Sequence, residues 1–210
     1  IISEPPMLGK EVFLKKNKIN FFLIVICTFI VCSQAFSEEN KKQVKVKLEK
    51  YLLNLSEISS DFMQINENQI QEGRFYIKRN RMRIEYLTPS KIVFVIKENK
   101  AMYFNVDLSE VQYFNPNKTV AEFFFNLFYK KNFLDDAEIV LGKDFFGLKK
   151  NITIQDEDNL IKVFFEKSPL KLRKIDLTSS QGTVSFGITN INYNPDLNDR
   201  LFSLANPLLG

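Results

Sequence analysis

The 210-residue sequence has no histidine and no tryptophan, and its only two cysteines, Cys27 and Cys32, fall within the first 37 residues. Without histidine the chain lacks the usual general base near neutral pH and the commonest metal ligand. Without cysteine after residue 32, the rest of the chain has no disulfide, no thiol nucleophile and no thiolate metal site. An excess of one charge is missing too. The 29 Lys and Arg stand against 25 Asp and Glu, net +4 with N-terminal lysines included, a balance too even for a nucleic-acid-binding domain. No Gly-x-Ser-x-Gly elbow occurs, so a lipid or glycan hydrolase has neither base nor nucleophile motif. What is abundant is phenylalanine, 21 residues. It carries a large apolar area and no polar handle, so the fold must bury a broad oily surface or offer it to a ligand.

Residues 1–35 read as upstream residues followed by a cleavable export signal. Met7 is a plausible start, Lys15, Lys16 and Lys18 form a basic patch, and Ile19 to Val31 is almost wholly apolar. Ser33-Gln34-Ala35 then offers small residues where a signal peptidase reads. Cleavage is expected after Ala35 or Ser37. The apolar run is shorter than the roughly 20 residues a spanning helix needs, and polar Ser37-Glu38-Glu39-Asn40 follows it, so a retained anchor is the weaker reading. Neither cysteine is preceded by the small residues that lipid modification requires. The expectation is an unacylated periplasmic protein, residues 36–210 forming one domain.

Along that domain, Val44, Leu48, Tyr51, Leu52 and Leu55 recur at helical spacing over Lys41 to Leu55. From Ile58 the period changes to two, and a meander follows: Ile58 to Ile65, Glu72 to Lys78, Met82 to Tyr86, Ile92 to Lys97, Met102 to Val106 and Val111 to Phe114. Thr119 to Lys130 interrupts it with Val120, Phe123, Phe124, Leu127 and Phe128 on a helix that Thr119 and Glu122 can cap and that Lys130-Lys131 suit at its end. Phe125 and Tyr129 carry its apolar surface beyond one stripe. Strands resume at Glu138 to Leu141, Ile152 to Gln155, Leu160 to Phe165, Leu172 to Leu177 and Thr183 to Tyr193, with Phe202-Ser203-Leu204 as a last short one. The fold class is therefore α+β, a curled antiparallel sheet forming an incomplete half-barrel closed by helices.

Certain residues in this order resemble a known pattern. Ser60-Asp61-Phe62-Met63-Gln64 gives an aromatic-x-Gln strand, and Glu72-Gly73-Arg74-Phe75-Tyr76-Ile77-Lys78-Arg79 a Gly-x-aromatic-x-Ile-x-Arg strand. Arg83-Ile84-Glu85-Tyr86-Leu87-Thr88-Pro89 gives an Arg-x-x-Tyr-x-x-Pro strand. Met102-Tyr103-Phe104 with Asp107-Leu108 is similar to the Leu-Tyr-x-Tyr-Asp hairpin that comes next, and Asn190 to Asn194 with Leu201 to Pro207 to the closing strands. Together they resemble the LolA family of outer-membrane lipoprotein carriers. The resemblance implies a non-enzymatic, monomeric periplasmic chaperone without metal or cofactor. It would take acylated lipoproteins from an inner-membrane ABC transporter, hold their acyl chains in a hydrophobic cavity, and pass them to an outer-membrane acceptor lipoprotein. In that family the Arg of an Arg-Pro step bonds carbonyls of the helical lid; Arg79 matches it, with Asn80 in place of the proline.

Several readings stay open at the level of sequence. Arg79 is either a lid latch or a solvated strand-end charge, and Arg83 either lines a rim or pairs with a neighbour such as Glu85. Phe123, Phe124 and Phe128, with Phe125, either pack the core or line a cavity, with Phe62, Phe75, Ile77, Tyr86, Phe94 and Tyr103 as candidates for the inner sheet surface. Asp156-Glu157-Asp158 reads as a solvated hairpin turn rather than a metal site. An alternative of the same fold is a membrane-anchored lipoprotein acceptor or lipid-binding sensor.

Overall fold

The structure is a computed structural model that describes residues 38–209 apart from residues 56, 68, 118, 131 and 155. Residues 44–210 form one compact unit and residues 1–43 another. The expected export signal and both cysteines lie outside the described residues. Helix α1 covers residues 38–53. Six strands follow: β1 (Glu57–Asn66), β2 (Gln69–Lys78), β3 (Arg81–Thr88), β4 (Ile92–Lys97), β5 (Lys100–Asn105) and β6 (Glu110–Phe114). After α2 (Val120–Tyr129) come β7 (Glu138–Leu141), β8 (Phe145–Ile154), β9 (Glu157–Lys167), β10 (Leu170–Ser179) and β11 (Gly182–Asn192), then a 3-10 turn at Asp199–Phe202.

The described strands make one sheet in the order β6-β5-β4-β3-β2-β1-β11-β10-β9-β8-β7. Every pairing is antiparallel. All but one join consecutive strands through short turns; the exception, β1 with β11, pairs the first strand of the chain with the last. The sheet is not closed, and β6 and β7 are its two edges. The chain leaves one edge and returns at the other, so α2 lies on the only path between them.

Strict alternation explains why the sheet has two distinct faces. On β9, Asn159, Ile161, Val163 and Phe165 are buried while the residues between them are not. The inner face of the whole sheet, with Leu48 and Leu52 of α1 and Phe123, Leu127 and Phe128 of α2, forms the main core. The outer face carries a second, smaller core. There Val95 and Met102, with Tyr76, Val93, Phe104 and Val111 around them, are covered by Leu197, Leu201, Phe202 and Leu204.

That outer layer corrects the expected last strand. Phe202 ends a 3-10 turn and Ser203-Leu204 pair with no strand, because the segment lies across the sheet rather than along it. It is tied down by its own carbonyls: Lys78 Nζ donates to Leu197 O, Arg83 Nη1 to Leu201 O (3.1 Å) and Tyr113 Oη to Leu204 O (3.2 Å). Strand β8 begins at Phe145 rather than at Ile152, where the sequence pattern marks it, since Phe146 and Leu148 face inward with Gly147 between them. Thr119 is the residue before α2 but makes no side-chain cap; its hydroxyl turns back to Pro116 O.

Candidate functional site

Between α2 and the inner face of the sheet lies a cavity of about 170 Å³. Its wall is Phe62, Phe75, Met82, Ile84, Tyr86, Phe94 and Ile96 from β1 to β4, Ile175, Phe186 and Ile188 from β10 and β11, and Val120, Ala121, Phe124 and Phe128 from α2. In a flat sheet, β4 and β10 would stand roughly 24 Å apart, five spacings of about 4.8 Å. That both touch one small cavity means the sheet curls around it.

Three motif positions meet at this wall. Gly73 is in register with Phe62 on one side and Tyr86 on the other. A Cβ at Gly73 would run into the Glu85 carbonyl oxygen and the Phe62 ring. Glycine therefore lets the Phe62 and Tyr86 rings meet across the intervening strand, edge to face at 5.2 Å, the arrangement aromatic quadrupoles favour. The aromatic series continues outward, Tyr86 to Phe94 at 6.2 Å and Phe94 to Tyr103 at 5.3 Å. Tyr86 Oη donates to Gln64 Oε1 (2.7 Å), and Gln64 Nε2 donates to Gln71 Oε1 (2.9 Å). The single polar group in the wall is thus satisfied from within, which keeps the cavity oily. Burial pushes the Tyr86 phenol up to about 12, so it is neutral at physiological pH.

Helix α2 brings rings to more than one side. Phe124 stacks edge to face on Phe186 at 5.0 Å and Phe128 lies 6.4 Å from Phe75. Phe125 and Tyr129 pack on each other at 4.8 Å. The Tyr129 hydroxyl donates to Arg81 O (3.2 Å), joining the end of α2 to the β2–β3 turn; burial raises its pKa. That turn is made by Arg79 and Asn80, both at positive φ, 45° and 59°. Proline, fixed at about −65°, cannot take the second place, whereas Asn tolerates it, so Asn80 accounts for the departure from Arg-Pro. The Arg79 side chain is 76% exposed and pairs with Glu57 at 3.7 Å.

Of the candidates, Phe62, Phe75, Tyr86, Phe94, Phe124 and Phe128 line the cavity. Ile77, Tyr103 and Phe123 do not. Ile77 is fully enclosed in the core. Tyr103 sits one strand too far out, and Phe123 turns to Phe133 at 5.7 Å. Sequence reasoning missed the β10–β11 wall of Ile175, Phe186 and Ile188, because the pairing that brings the last strands beside the first has no local signal. Arg83 pairs with Glu85 and faces outward. Asp156 forms the β8–β9 turn at φ 66° and Glu157-Asp158 open β9; among the described residues no group of three or more acidic side chains is placed to hold a metal.

The family described as outer membrane lipoprotein carrier protein LolA matches residues 54–205. The chain belongs to the LolA family. Its fold is accordingly a periplasmic lipoprotein-binding one, in a family of binding proteins rather than enzymes. No curated protein matches the chain. Among solved structures, an uncharacterized conserved protein from Thermus thermophilus is similar in fold at 11% identity and TM-score 0.51, over 77% of this chain and 91% of that one. A more distant likeness is to MucB in complex with MucA(peri), at 11% identity and TM-score 0.45, over 78% of this chain and 60% of that one. A DUF1329 family protein from Desulfovibrio piger gives 8% identity and TM-score 0.44, over 78% and 97%. No described helix is long and apolar enough to cross a membrane.

Proposed function

We propose that the protein is a periplasmic chaperone that takes acylated lipoproteins from an inner-membrane ABC transporter. It holds their acyl chains between α2 and the sheet and yields them to an outer-membrane acceptor lipoprotein. The observation that carries this reading is the cavity itself: fourteen lining residues of which only Tyr86 bears a polar group, and that group already bonded to Gln64 behind the lining. Each methylene moved from water into such a lining gains about 0.8 kcal/mol, and nothing in the lining offers chemistry beyond that.

Size defines how the cavity works. At about 170 Å³ it is close to the ~150 Å³ hollow that accepts one benzene, far short of a lipoprotein's acyl chains. Loading therefore requires α2 to move away from the sheet as a lid. Its tether to the sheet is the β2–β3 turn, gripped by Tyr129 from the helix side; Arg79 of that turn pairs with Glu57, and as a latch it would exchange that partner for carbonyls of α2. Met82 in the wall adapts its shape to cargo.

The test is native mass spectrometry of protein expressed with its export signal, purified from the periplasm without detergent and then extracted into organic solvent. Recovery of a diacylated or triacylated lipoprotein is expected. An empty protein that also fails to take up a fluorescent fatty acid would overturn the carrier reading.

A further inference from the structure

The two halves of the outer face differ in cover. On β3 to β6 the C-terminal segment buries the oily side chains. That cover reaches Tyr76 of β2 but stops short of the β1–β2 turn, where no described residue buries Met63, Ile65 and Ile70, which are 41%, 42% and 58% exposed. Ile65 and Ile70 are direct cross-strand partners, so they stand side by side. The strand on their other flank offers only small residues, Gly187 opposite Met63 and Ser185 opposite Ile65, which leaves one side of this ridge open as a ledge. Leu87 at the end of β3 and Leu108 in the β5–β6 turn, both exposed, extend the oily strip along the same end of the sheet.

Charge around this strip is mostly of one sign. The turns at this end and the first residues of β2 and β6 hold Glu67, Glu72, Asp107 and Glu110, with Asp156, Glu157 and Asp158 further along, against Lys91; the two cations beside the ridge on the same face, Arg74 and Lys174, are paired with Asp61 (2.8 Å) and Asp176 (3.0 Å). The turns are neighbours: a Cβ on Gly182 of the β10–β11 turn would lie 3.7 Å from Glu67 Oε1, and Ser180 Oγ of that turn lies 3.5 Å from Glu157 Oε2. At the opposite end the balance reverses, with Lys78, Arg79, Arg81, Lys97, Lys100, Lys143, Lys167 and Lys171 in or beside the turns against Glu57, Glu98, Asp144, Glu166 and Asp199, the last paired with Lys78 and Arg81. An exposed apolar strip inside an acidic rim repels an anionic lipid surface and attracts an apolar segment carrying lysine or arginine.

We propose that the outer ridge of Met63, Ile65 and Ile70, within its acidic rim, is a docking surface for a basic amphipathic segment of a partner protein. It lies on the face of the sheet opposite the cavity, so a partner is engaged while cargo is held, and the inference stands whether or not the cargo is a lipoprotein. Contact area sets affinity and the rim sets approach rate and salt dependence.

The test uses the whole protein and a fluorescent 18-residue Leu/Lys amphipathic helical peptide, followed by anisotropy, with a Leu/Glu peptide of the same pattern as control. The expected result is binding of the Leu/Lys peptide only, weakened tenfold or more by 0.5 M salt. The pair Ile65→Ser and Ile70→Ser should lose it by a similar factor, and so should the charge reversal Glu67→Lys with Glu72→Lys. The reversal disturbs no core residue and keeps the test valid should the serine pair unfold. Saturating fatty acid should not displace the peptide, and Lys97→Glu with Lys100→Glu at the far end should bind it unchanged. Displacement by fatty acid, equal binding by the ridge variants, or ridge-dependent binding to phosphatidylglycerol vesicles would each overturn the proposal.

Discussion

Helices α1 and α2 both lie on the inner face of one sheet, yet they cover it differently. From α1, Leu48 and Leu52 are buried to 0% and 3% exposure, while Lys47 and Lys50 stay outside. Its stripe of slender side chains interlocks with the sheet, and Tyr51 fixes the contact by accepting from Leu172 N (3.0 Å) and packing edge to face on Phe165. Helix α2 presents Phe124 and Phe128 instead, and the cavity remains between them and the strands. Flexible aliphatic chains fill the gaps between pleats. Flat rigid rings bridge over them. The same sheet thus has a sealed half under α1 and a fillable half under α2.

Cutting a side chain from the sealed half should cost most. Leu48→Ala is expected to lose about 3–4 kcal/mol, the usual cost of a cavity in a filled core. Phe124→Ala, whose ring already borders empty space, should lose only about 1–2 kcal/mol and bind a fluorescent fatty acid more tightly. Urea unfolding of both variants checks this; equal losses would erase the distinction between the halves. At the cavity wall, Gly73→Ala should cost about 3 kcal/mol, since the added Cβ forces Phe62 or the β3 backbone to move. It should also weaken fatty-acid binding, because the displaced ring enters the cavity.

The difference between the helices is legible in the sequence only in part. The lysine-bordered stripe of α1 and the ring-rich surface of α2 are both readable, and so is the meander, because alternation is local. The curl is not. It rests on β1 pairing with β11, two strands at opposite ends of the domain's sequence, and it is this pairing that brings Phe186 and Ile188 to the cavity. Gly73 stands in the Gly-x-aromatic motif, but its reason appears only when Phe62 and Tyr86 are seen to meet across it. Phe202-Ser203-Leu204 reads as a short strand in sequence because apolar residues that pack across a sheet alternate much as those within one do.

Alkali sharpens the same comparison from another side. The Tyr86 phenol, pushed up to about 12 by burial, is favoured in its neutral form by the fold. Its stabilisation is full below the ordinary value of 10.0 and is lost as pH rises from there toward 12. A shift of that size corresponds to about 2–3 kcal/mol. Burial raises Tyr51 and Tyr129 as well, so the wild type should lose stability steeply above about pH 10. Tyr86→Phe should lose distinctly less between about pH 9 and 12 in matched urea unfolding, and an identical alkaline slope would show that the cavity wall admits water.

The smallest change tests whether α2 is a lid. Tyr129→Phe deletes one hydroxyl, leaves the ring against Phe125, and frees the Arg81 carbonyl that the hydroxyl served. A hydrogen bond of this kind contributes about 1 kcal/mol, too little to unfold the protein. If that contact holds the fillable half shut, its loss should raise the uptake rate of a fluorescent fatty acid about fivefold, since about 1 kcal/mol comes off the cost of opening. Tyr51→Phe, which breaks a comparable contact under α1, should lower stability and leave uptake unchanged. Were both variants to load at the wild-type rate, α2 would be a fixed part of the core like α1, and cargo would have to enter by another route.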